Sequence, residues 1–179
     1  MSESTVPPKD TRNVTDEFKG MSVDSIKAIL DGRRNGLQIA IENIERDFNM
    51  GTIVRTANAF NVSTIHIVGR RQWNKRGAMV TDRYMNIEYH AGIQGFMSAT
   101  EGSVIVGVDN IDGSHPLSQT ALPKNTVLVF GSEGAGLSHT MIAKCQQLVA
   151  IEQFGSTRSI NVGVAAGVVM YEWLRQHVL

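Results

Sequence analysis

Short runs of consecutive apolar, often β-branched residues recur along the chain, and stretches with helical spacing lie between them. Runs that are apolar at every position are typical of strands buried on both faces of a parallel sheet. The alternation therefore predicts an α/β fold, a mostly parallel sheet with helices on both faces. The predicted strands are residues 37–41, 64–68, 104–108, 126–130 and 148–151, and the predicted helices are a short one after Ser22 and residues 50–61, 93–100, 138–146 and 161–177.

The composition bounds the class of protein. The 179 residues carry 17 basic and 17 acidic side chains, so a nucleic-acid partner would need a local basic patch. The single cysteine, Cys145, lies in an apolar stretch, and we interpret it as a buried core thiol. Neither a membrane span nor a secretory signal is recognisable, so we expect a cytoplasmic protein. We expect residues 1–20 to be a flexible arm and residues 21–179 to be one domain.

Two loop segments in the C-terminal third are typical of ligand sites. Residues 130–138 follow a predicted strand and hold three glycines and Glu133, so the backbone can turn sharply and approach a ligand closely. The glycine spacing is GxxGxG, which is neither a Walker A motif nor the GxGxxG of dinucleotide-binding proteins. Residues 156–162 open the last helix. Together the two segments predict an active site at this end of the sheet.

Several polar residues occupy positions that are consistent with either a structural or a chemical role. Arg55 lies in an otherwise apolar helix and is either a solvent-facing arginine or a phosphate clamp, with Asn49 at the cap position of that helix. Ser159 and Asn161 begin the last helix, where one of them is expected to cap it and both can face a ligand.

A basic segment follows the second predicted strand. It is either a solvated loop or an RNA contact surface with a ring for base stacking. We predict RNA contact here, with an extension to Arg83, Tyr84, Lys9, Arg12, Lys19, Arg33 and Arg34. The predicted contact residues in the segment are Arg70, Arg71, Trp73, Lys75 and Arg76.

Two further features have a structural interpretation and a functional one. The apolar stripe of the last helix is interpreted as core packing or, in part, as a subunit interface with Trp173 as an anchor. His66 and His90 are predicted to be separate structural histidines, and the sequence suggests no metal-ligand cluster.

Three of these segments together resemble one family, the SpoU-type RNA 2′-O-ribose methyltransferases of the SPOUT superfamily. The family's first motif is matched by Asn49, Gly51 and Arg55, at the same spacing. Its second motif resembles residues 130–137, and its third, a Ser-Leu-Asn-Val-x-Val-Ala sequence, resembles residues 159–165. The motifs occur in the family's order. Ile160 and Gly163 depart from the usual Leu and Ser, and Arg158 is typical of a subset that includes eukaryotic tRNA G18 methyltransferase domains.

The resemblance covers residues 36–177 and carries specific expectations. It implies a deep trefoil knot in the C-terminal third, with S-adenosylmethionine bound in the knot. It also implies a homodimer through the knot and the C-terminal helix, with each site completed across the interface. The implied cofactor-binding residues are Val108, Gly131, Ile151 and Ile160, the implied catalytic residues are Asn49, Arg55, Glu133, Ser159 and Asn161, and Arg158 is an implied RNA contact.

These features predict an S-adenosylmethionine-dependent RNA 2′-O-ribose methyltransferase that acts on tRNA, with no metal and no membrane partner. The same reaction on rRNA is the alternative within the family. A non-catalytic RNA-binding protein that retains the fold is the alternative from another class. A dinucleotide oxidoreductase is disfavoured by the glycine spacing.

Overall fold

The computed structural model describes residues 10–43, 49–132 and 134–179, which form seven strands and five helices. The helices are α1 (Val23–Asp31), α2 (Met50–Ala59), α3 (Ile93–Ala99), α4 (His139–Ile142) and α5 (Val162–His177). The strands are β1 (Gln38–Asn43), β2 (Thr64–Gly69), β3 (Ile87–His90), β4 (Val104–Val108), β5 (His115–Pro116), β6 (Thr126–Phe130) and β7 (Gln147–Ala150). None of the helices in these ranges is long and apolar enough to cross a bilayer.

The described strands form one sheet in the order β3-β2-β1-β6-β4-β7-β5, and every neighbouring pair is parallel. Strands β2 and β3 extend the sheet on one side of β1, whereas β6, β4 and β7 lie on the other side. A parallel sheet whose strand order reverses in this way opens a crevice beyond the carboxyl ends of its strands. The predicted parallel sheet is confirmed.

Helices cover both faces of the sheet, as predicted. Ile39 and Ile41 of β1 belong to the main core, in which α2 and α5 pack and Trp173 is 1% exposed. Ala40 lies between them in the chain and points to the opposite face, where Phe96 of α3 joins the second core. The alternation follows from the period of two in a strand, and it explains why strands β4 and β6 are apolar on both faces.

The sequence patterns do not predict two strands, and they overestimate one helix. No apolar run indicates strand β3 in the sequence, because Glu88 and His90 interrupt its apolar residues, as is usual for an edge strand. Strand β5 has only two residues. Helix α4 ends at Ile142 instead of residue 146. Its predicted cap is present, because the hydroxyl of Ser138 accepts from the backbone N–H of Met141 at 3.1 Å.

The described part of the predicted N-terminal arm, residues 10–20, is docked against the domain. Phe18 is 7% exposed and packs with Ile26 and Tyr84, and the Arg33 guanidinium lies 5.2 Å from the centre of its ring. Burial of the Phe18 ring stabilises this docked arrangement of residues 10–20. Residues 1–9 lie outside the described residues.

Candidate active site

A cavity of about 1000 Å³ opens beyond the carboxyl ends of β4, β6 and β7. This is the edge of a parallel sheet at which ligands bind in open α/β proteins. Val108 ends β4 and Gly131 follows β6, so the sheet itself positions two of the predicted cofactor residues. The cavity is lined by all four predicted cofactor residues, Val108, Gly131, Ile151 and Ile160. Ser159 and Asn161 line it as well.

The glycine segment after β6 folds back on itself at the cavity wall. The N–H of Ser132 donates to the carbonyl of Gly136 at 3.1 Å, and the N–H of Gly136 donates to the carbonyl of Ser132 at 3.0 Å. A Cβ on Gly131 would lie 2.1 Å from the carbonyl carbon of Gly136, so a larger residue cannot fit there. Glu133, a predicted catalytic residue, lies outside the described residues.

Asp109 holds the loops of the cavity together, and the sequence analysis did not single it out. Its Oδ2 accepts from the N–H of Leu137 at 2.8 Å, and its Oδ1 accepts from the N–H of Asn110 at 2.8 Å. The amide of Asn110 in turn donates to the carbonyl of Arg158 at 3.1 Å. The signal in the sequence was a carboxylate directly after a buried strand, a position at which side chains reach the neighbouring loops.

The cavity wall combines apolar surface with buried polar atoms. Leu137, Ile151 and Ile160 supply apolar surface. The hydroxyl of Ser132 and the Oε1 atom of Gln153 also line the cavity, are buried, and have no hydrogen-bond partner among the described residues. Buried polar atoms are almost always hydrogen-bonded in folded proteins, so these two atoms fit a polar ligand.

Asn161 performs both roles that the sequence left open for the start of the last helix. Its Oδ1 accepts from the N–H groups of Gly163 at 2.9 Å and Val164 at 3.3 Å, so it caps α5. Its Nδ2 is thereby turned toward α2 and donates to Oδ1 of Asn49 at 2.9 Å. The two predicted catalytic asparagines are therefore in contact.

Helix α2 is held close to both α5 and the basic segment. A Cβ on Gly51 would lie 2.7 Å from the backbone nitrogen of Ala78, so the end of the basic segment packs directly on the first turn of α2. Arg55, one turn further along, is exposed and does not line the cavity of its own chain. The described residues offer it no ion pair. That Arg55 acts together with Ser159 and Asn161 stays a prediction.

The basic segment presents an exposed row of cations, with one difference from the prediction. Arg70, Arg71 and Arg76 are exposed, whereas Lys75 forms an ion pair with Asp82 at 2.8 Å. Trp73 is half-buried against the main core and Lys75 Nζ lies 5.5 Å from the centre of its ring, so the ring is not an open stacking platform.

Of the predicted extension of the basic surface, three arginines are engaged within the domain, and Arg33 pairs with Glu17 at 3.1 Å. Arg34 is largely buried: it pairs with Asp31 at 2.6 Å and donates to the carbonyl of Tyr84 at 2.6 Å. Arg12 pairs with Asp10 at 2.6 Å. Arg158 is exposed beside the cavity.

The last helix has two apolar faces. The predicted stripe is core, since Ala166, Val169, Met170, Trp173 and Leu174 are buried. A second face carries Val164, Val168 and Tyr171, which are 57%, 41% and 52% exposed. The residues of this second face stand outside the predicted apolar stripe, which follows the helix positions that face the core.

His66 and His90 are not separate, which corrects the prediction. His66 Nδ1 lies 3.0 Å from His90 Nε2, and Glu88 Oε2 lies 3.5 Å and 3.8 Å from these two nitrogens. Burial, together with the neighbouring His90, lowers the pKa of His66 to about 4. The pairing was missed because β3, which carries Glu88 and His90 next to β2, was not predicted. The assumption that no metal-ligand cluster exists is therefore wrong for this group of three.

Cys145 is partly buried and packs against the second core, where a buried core thiol was predicted. Its Sγ donates to the carbonyl of Met141 at 3.3 Å. Burial, with a smaller contribution from the charge of Glu42, raises the pKa of the thiol to about 11. A thiol in this state is a poor nucleophile at neutral pH.

Known proteins share both the sequence and the fold of this chain. An uncharacterized tRNA/rRNA methyltransferase of Mycolicibacterium vanbaalenii is 31% identical over 188 residues, which cover 96% of this chain and 54% of that protein. The chain thus spans about half the length of the curated relatives it matches. The TrmH/SpoU tRNA modifying enzyme of A. aeolicus superposes with a TM-score of 0.74 at 26% identity, over 86% of this chain and 81% of that one.

A second solved structure is relevant to the cavity. The SpoU methyltransferase AviRb from Streptomyces viridochromogenes, solved in complex with the cofactor AdoMet, has a TM-score of 0.72 at 25% identity, over 82% of this chain and 59% of its own. The profile of the SpoU rRNA Methylase family matches residues 36–171, which is most of the chain. The sequence match and the shared fold agree, and the chain belongs to the SpoU rRNA Methylase family.

Proposed function

We propose that this protein is an S-adenosylmethionine-dependent methyltransferase that modifies a ribose 2′-oxygen of RNA. The observation that carries the proposal is the hydrogen bond from Asn161 to Asn49. It joins the first and third family motifs at the edge of a cavity that all four predicted cofactor residues line. Catalysis of methyl transfer is largely a matter of positioning the acceptor against the donor, and this contact links the two sides.

The cavity suits S-adenosylmethionine, which AviRb binds. The side chains of Leu137, Ile151 and Ile160 offer apolar surface for an adenine ring. Ser132 Oγ and Gln153 Oε1 would hydrogen-bond to the polar parts of the cofactor. When bound, the cofactor supplies a methyl group activated by a sulfonium. We also expect the trefoil knot of the family around this cavity, formed by the C-terminal third of the chain.

The chain's own residues position the RNA for the reaction. The ribose hydroxyl must lose a proton as its oxygen attacks the methyl carbon, and we propose that an oxygen of the adjacent RNA phosphate accepts this proton while the sulfonium sulfur leaves with the bonding electron pair. We assign Arg55 to the phosphate beside the target ribose and to the developing alkoxide, because a guanidinium with a pKa above about 12 is a poor base. Asn49, Ser159 and Asn161 orient the hydroxyl. Glu133 retains its proposed place in the catalytic set.

A hydroxyl acceptor fits this site better than a pyrimidine carbon. Methylation of a pyrimidine C5 carbon proceeds through a covalent adduct with a nucleophilic thiolate. The chain has one cysteine, Cys145, which does not line the cavity and whose pKa is raised to about 11. Oxygen methylation requires no such nucleophile.

We propose that the RNA lies across the exposed cations of the basic segment. Packing of Ala78 on Gly51 brings this segment beside α2, and therefore beside Asn49 and Asn161. Arg70, Arg71 and Arg76 would contact phosphates, with Lys75 released from Asp82 on binding. We favour tRNA, with a G18-type target, because exposed Arg158 precedes Ser159. We further propose that the reaction takes place in the cytoplasm.

We propose that the active form is a homodimer joined through α5 and the knot. The exposed apolar face of Val164, Val168 and Tyr171 has the character of an interface core. A dimer also accounts for the position of Arg55, which does not line the cavity of its own chain. In this arrangement the Arg55 side chain of a second copy completes each site.

The test is transfer of a labelled methyl group from S-adenosylmethionine to total tRNA and, separately, to rRNA. Arg55→Ala is compared with the unchanged protein, and Lys124→Ala is the control, because it removes an exposed cation just before β6, at the end of the sheet opposite the cavity. We expect labelled tRNA, a loss of about 10²–10³-fold in Arg55→Ala and full activity in the control. Nuclease digestion of the labelled RNA to 2′-O-methyl dinucleotides tests the position of the methyl group.

Each of the other possible results of this assay would favour a different conclusion. Label in rRNA alone would move the substrate to rRNA and leave the chemistry in place. Label that digests to a methylated base would overturn the 2′-oxygen assignment. Cofactor binding without transfer to either RNA would support the non-catalytic RNA-binding protein.

A further inference from the structure

Four polar side chains share one face of the sheet at the β1-β2-β3 end. In the parallel register His66 pairs with Glu88, Val68 with His90, and Ala40 with His66. Paired residues point to the same face, as do residues two apart on one strand, so Gln38, His66, Glu88 and His90 all project to the side covered by α3. The sheet therefore brings two imidazoles and a carboxylate together without any loop.

The ring of Phe96 from α3 closes this group from above. Its centroid lies 5.6 Å from that of His66 and 5.9 Å from that of His90, and both contacts are edge-on. His66 is 2% exposed, whereas the Glu88 side chain is 53% exposed. The group is thus rigid and apolar on one side and open to solvent through Glu88 on the other.

The three ligand-type atoms form a triangle of the size that a small metal ion requires. The distances are 3.0 Å from His66 Nδ1 to His90 Nε2, and 3.5 Å and 3.8 Å from these nitrogens to Glu88 Oε2. The point equidistant from the three atoms lies about 2.0 Å from each of them, close to the usual Zn–N and Zn–O distances of about 2.0–2.2 Å.

The protonation pattern also suits a metal ligand. Oε1 of Gln38 lies 2.8 Å from His66 Nε2 and accepts its N–H, which leaves the lone pair of the neutral ring on Nδ1, inside the triangle. A hydrogen bond from the far ring nitrogen to a carbonyl oxygen is the usual support of a metal-binding histidine. His90 needs only to carry its proton on Nδ1 for its Nε2 lone pair to face the same point.

We propose that His66, Glu88 and His90 bind a divalent transition-metal ion, with Zn²⁺ as the first choice. Imidazole nitrogens favour zinc and its neighbours over Mg²⁺ or Ca²⁺, which prefer oxygen ligands. The three ligands leave a fourth tetrahedral position for water on the solvent side. None of the three lines the cofactor cavity, so the site is independent of the proposed methyl transfer. It ties edge strand β3 to β2.

The experiment uses the whole chain without a histidine tag, stripped of metal with a chelator and then dialysed. Co²⁺ is titrated while the visible absorption of four-coordinate cobalt is recorded, and Zn²⁺ is then added to displace it. Glu88→Gln and His90→Ala are the test variants. His115→Ala removes an exposed histidine of β5 and is the matched control. Thermal unfolding of all four proteins is measured with and without Zn²⁺.

We expect one equivalent of Co²⁺ to bind the unchanged protein and the control, with tetrahedral absorption that Zn²⁺ abolishes. Affinity should fall at least about tenfold in each test variant, and Zn²⁺ should raise the unfolding temperature only where the site is intact. The Glu88 variant changes an exposed side chain, so a folding defect would not mask the result. Equal binding by all four proteins, or no binding by the unchanged protein at about a hundredfold excess of metal, would overturn the proposal.

Discussion

Nδ2 of Asn161 donates a hydrogen bond to Oδ1 of Asn49 across 2.9 Å, although the two residues are 112 positions apart in the chain. The same Asn161 side chain caps α5 through its Oδ1. One residue thus sets both the start of the last helix and the position of the first-motif asparagine. The helix start, the cavity wall and α2 are thereby fixed relative to one another.

The two roles of Asn161 can be separated by substitution. Asn161→Ala removes the cap and the contact, and should cost about 1 kcal/mol of unfolding free energy. Asn161→Asp keeps an oxygen that caps α5 and adds a charge that the helix N-terminus favours, but it loses the donor to Asn49. We expect Asn161→Asp to unfold at the same temperature as the unchanged protein, yet to transfer methyl groups at least about tenfold more slowly. Equal activity in Asn161→Asp would show that the contact has no part in catalysis.

Gly131→Ala should disrupt the turn that forms one wall of the cavity. The added Cβ would lie 2.1 Å from a backbone carbon of Gly136, so the turn must open, at a cost of about 3 kcal/mol or more. Cofactor affinity measured by calorimetry and stability measured by denaturant unfolding should both fall. Gly95→Ala, in α3, is the control, because a Cβ there meets nothing within 4 Å and alanine favours the helix. An unchanged cofactor affinity in Gly131→Ala would contradict the assigned role of the turn.

Asp31 makes stability depend on pH in the acid range. Hydrogen bonds from Lys27 and Arg34 lower the pKa of Asp31 to about 2, below its usual value of 3.8. A carboxyl whose pKa is lowered on folding stabilises the fold above its unfolded pKa, and this stabilisation is lost as pH falls from about 4 toward 2. The side chain is 39% exposed, so screening limits the effect to about 1 kcal/mol.

Asp31→Asn tests this relationship. Unfolding free energy should be lower than in the unchanged protein at pH 7, and the difference should shrink as the pH approaches 2, as followed by denaturant unfolding. Asp24→Asn is the matched control, because Asp24 is an exposed carboxyl in the first turn of the same helix. If the difference in unfolding free energy between Asp31→Asn and the unchanged protein stayed constant from pH 7 to pH 2, the effect of the substitution would not come from the ionisation of Asp31.

The parts of the structure that the sequence predicts depend on local chemistry. Short apolar runs, and the alternation of residues 37–41, are typical of strands, so the sequence predicts β1, β2, β4 and β6. Gly131 and Asn161 were recognised because a tight turn and a helix start require such residues. These requirements act within a few residues of the position concerned.

The features that were missed depend on contacts between distant segments. The role of Asp109 rests on the N–H of Leu137, 28 residues away. The His66–His90 pair exists because β3 lies beside β2, and a polar edge strand leaves no apolar run to detect. The spacing that identifies Arg55 likewise carries no information about its place outside the cavity of its own chain.

Val168→Glu should separate the proposed dimer into single chains. Val168 lies between Val164 and Tyr171 on the exposed apolar face of α5, so a carboxylate there would be buried without a partner if two copies met. We expect the unchanged protein to sediment as a dimer and Val168→Glu as a monomer of unaltered stability, with methyl transfer reduced at least about a hundredfold because each site lacks its second copy. Ser98→Glu places the same charge at an exposed position of α3, and this variant should remain dimeric and active. A monomeric unchanged protein that transfers methyl groups would refute both the interface and the idea that Arg55 acts across it.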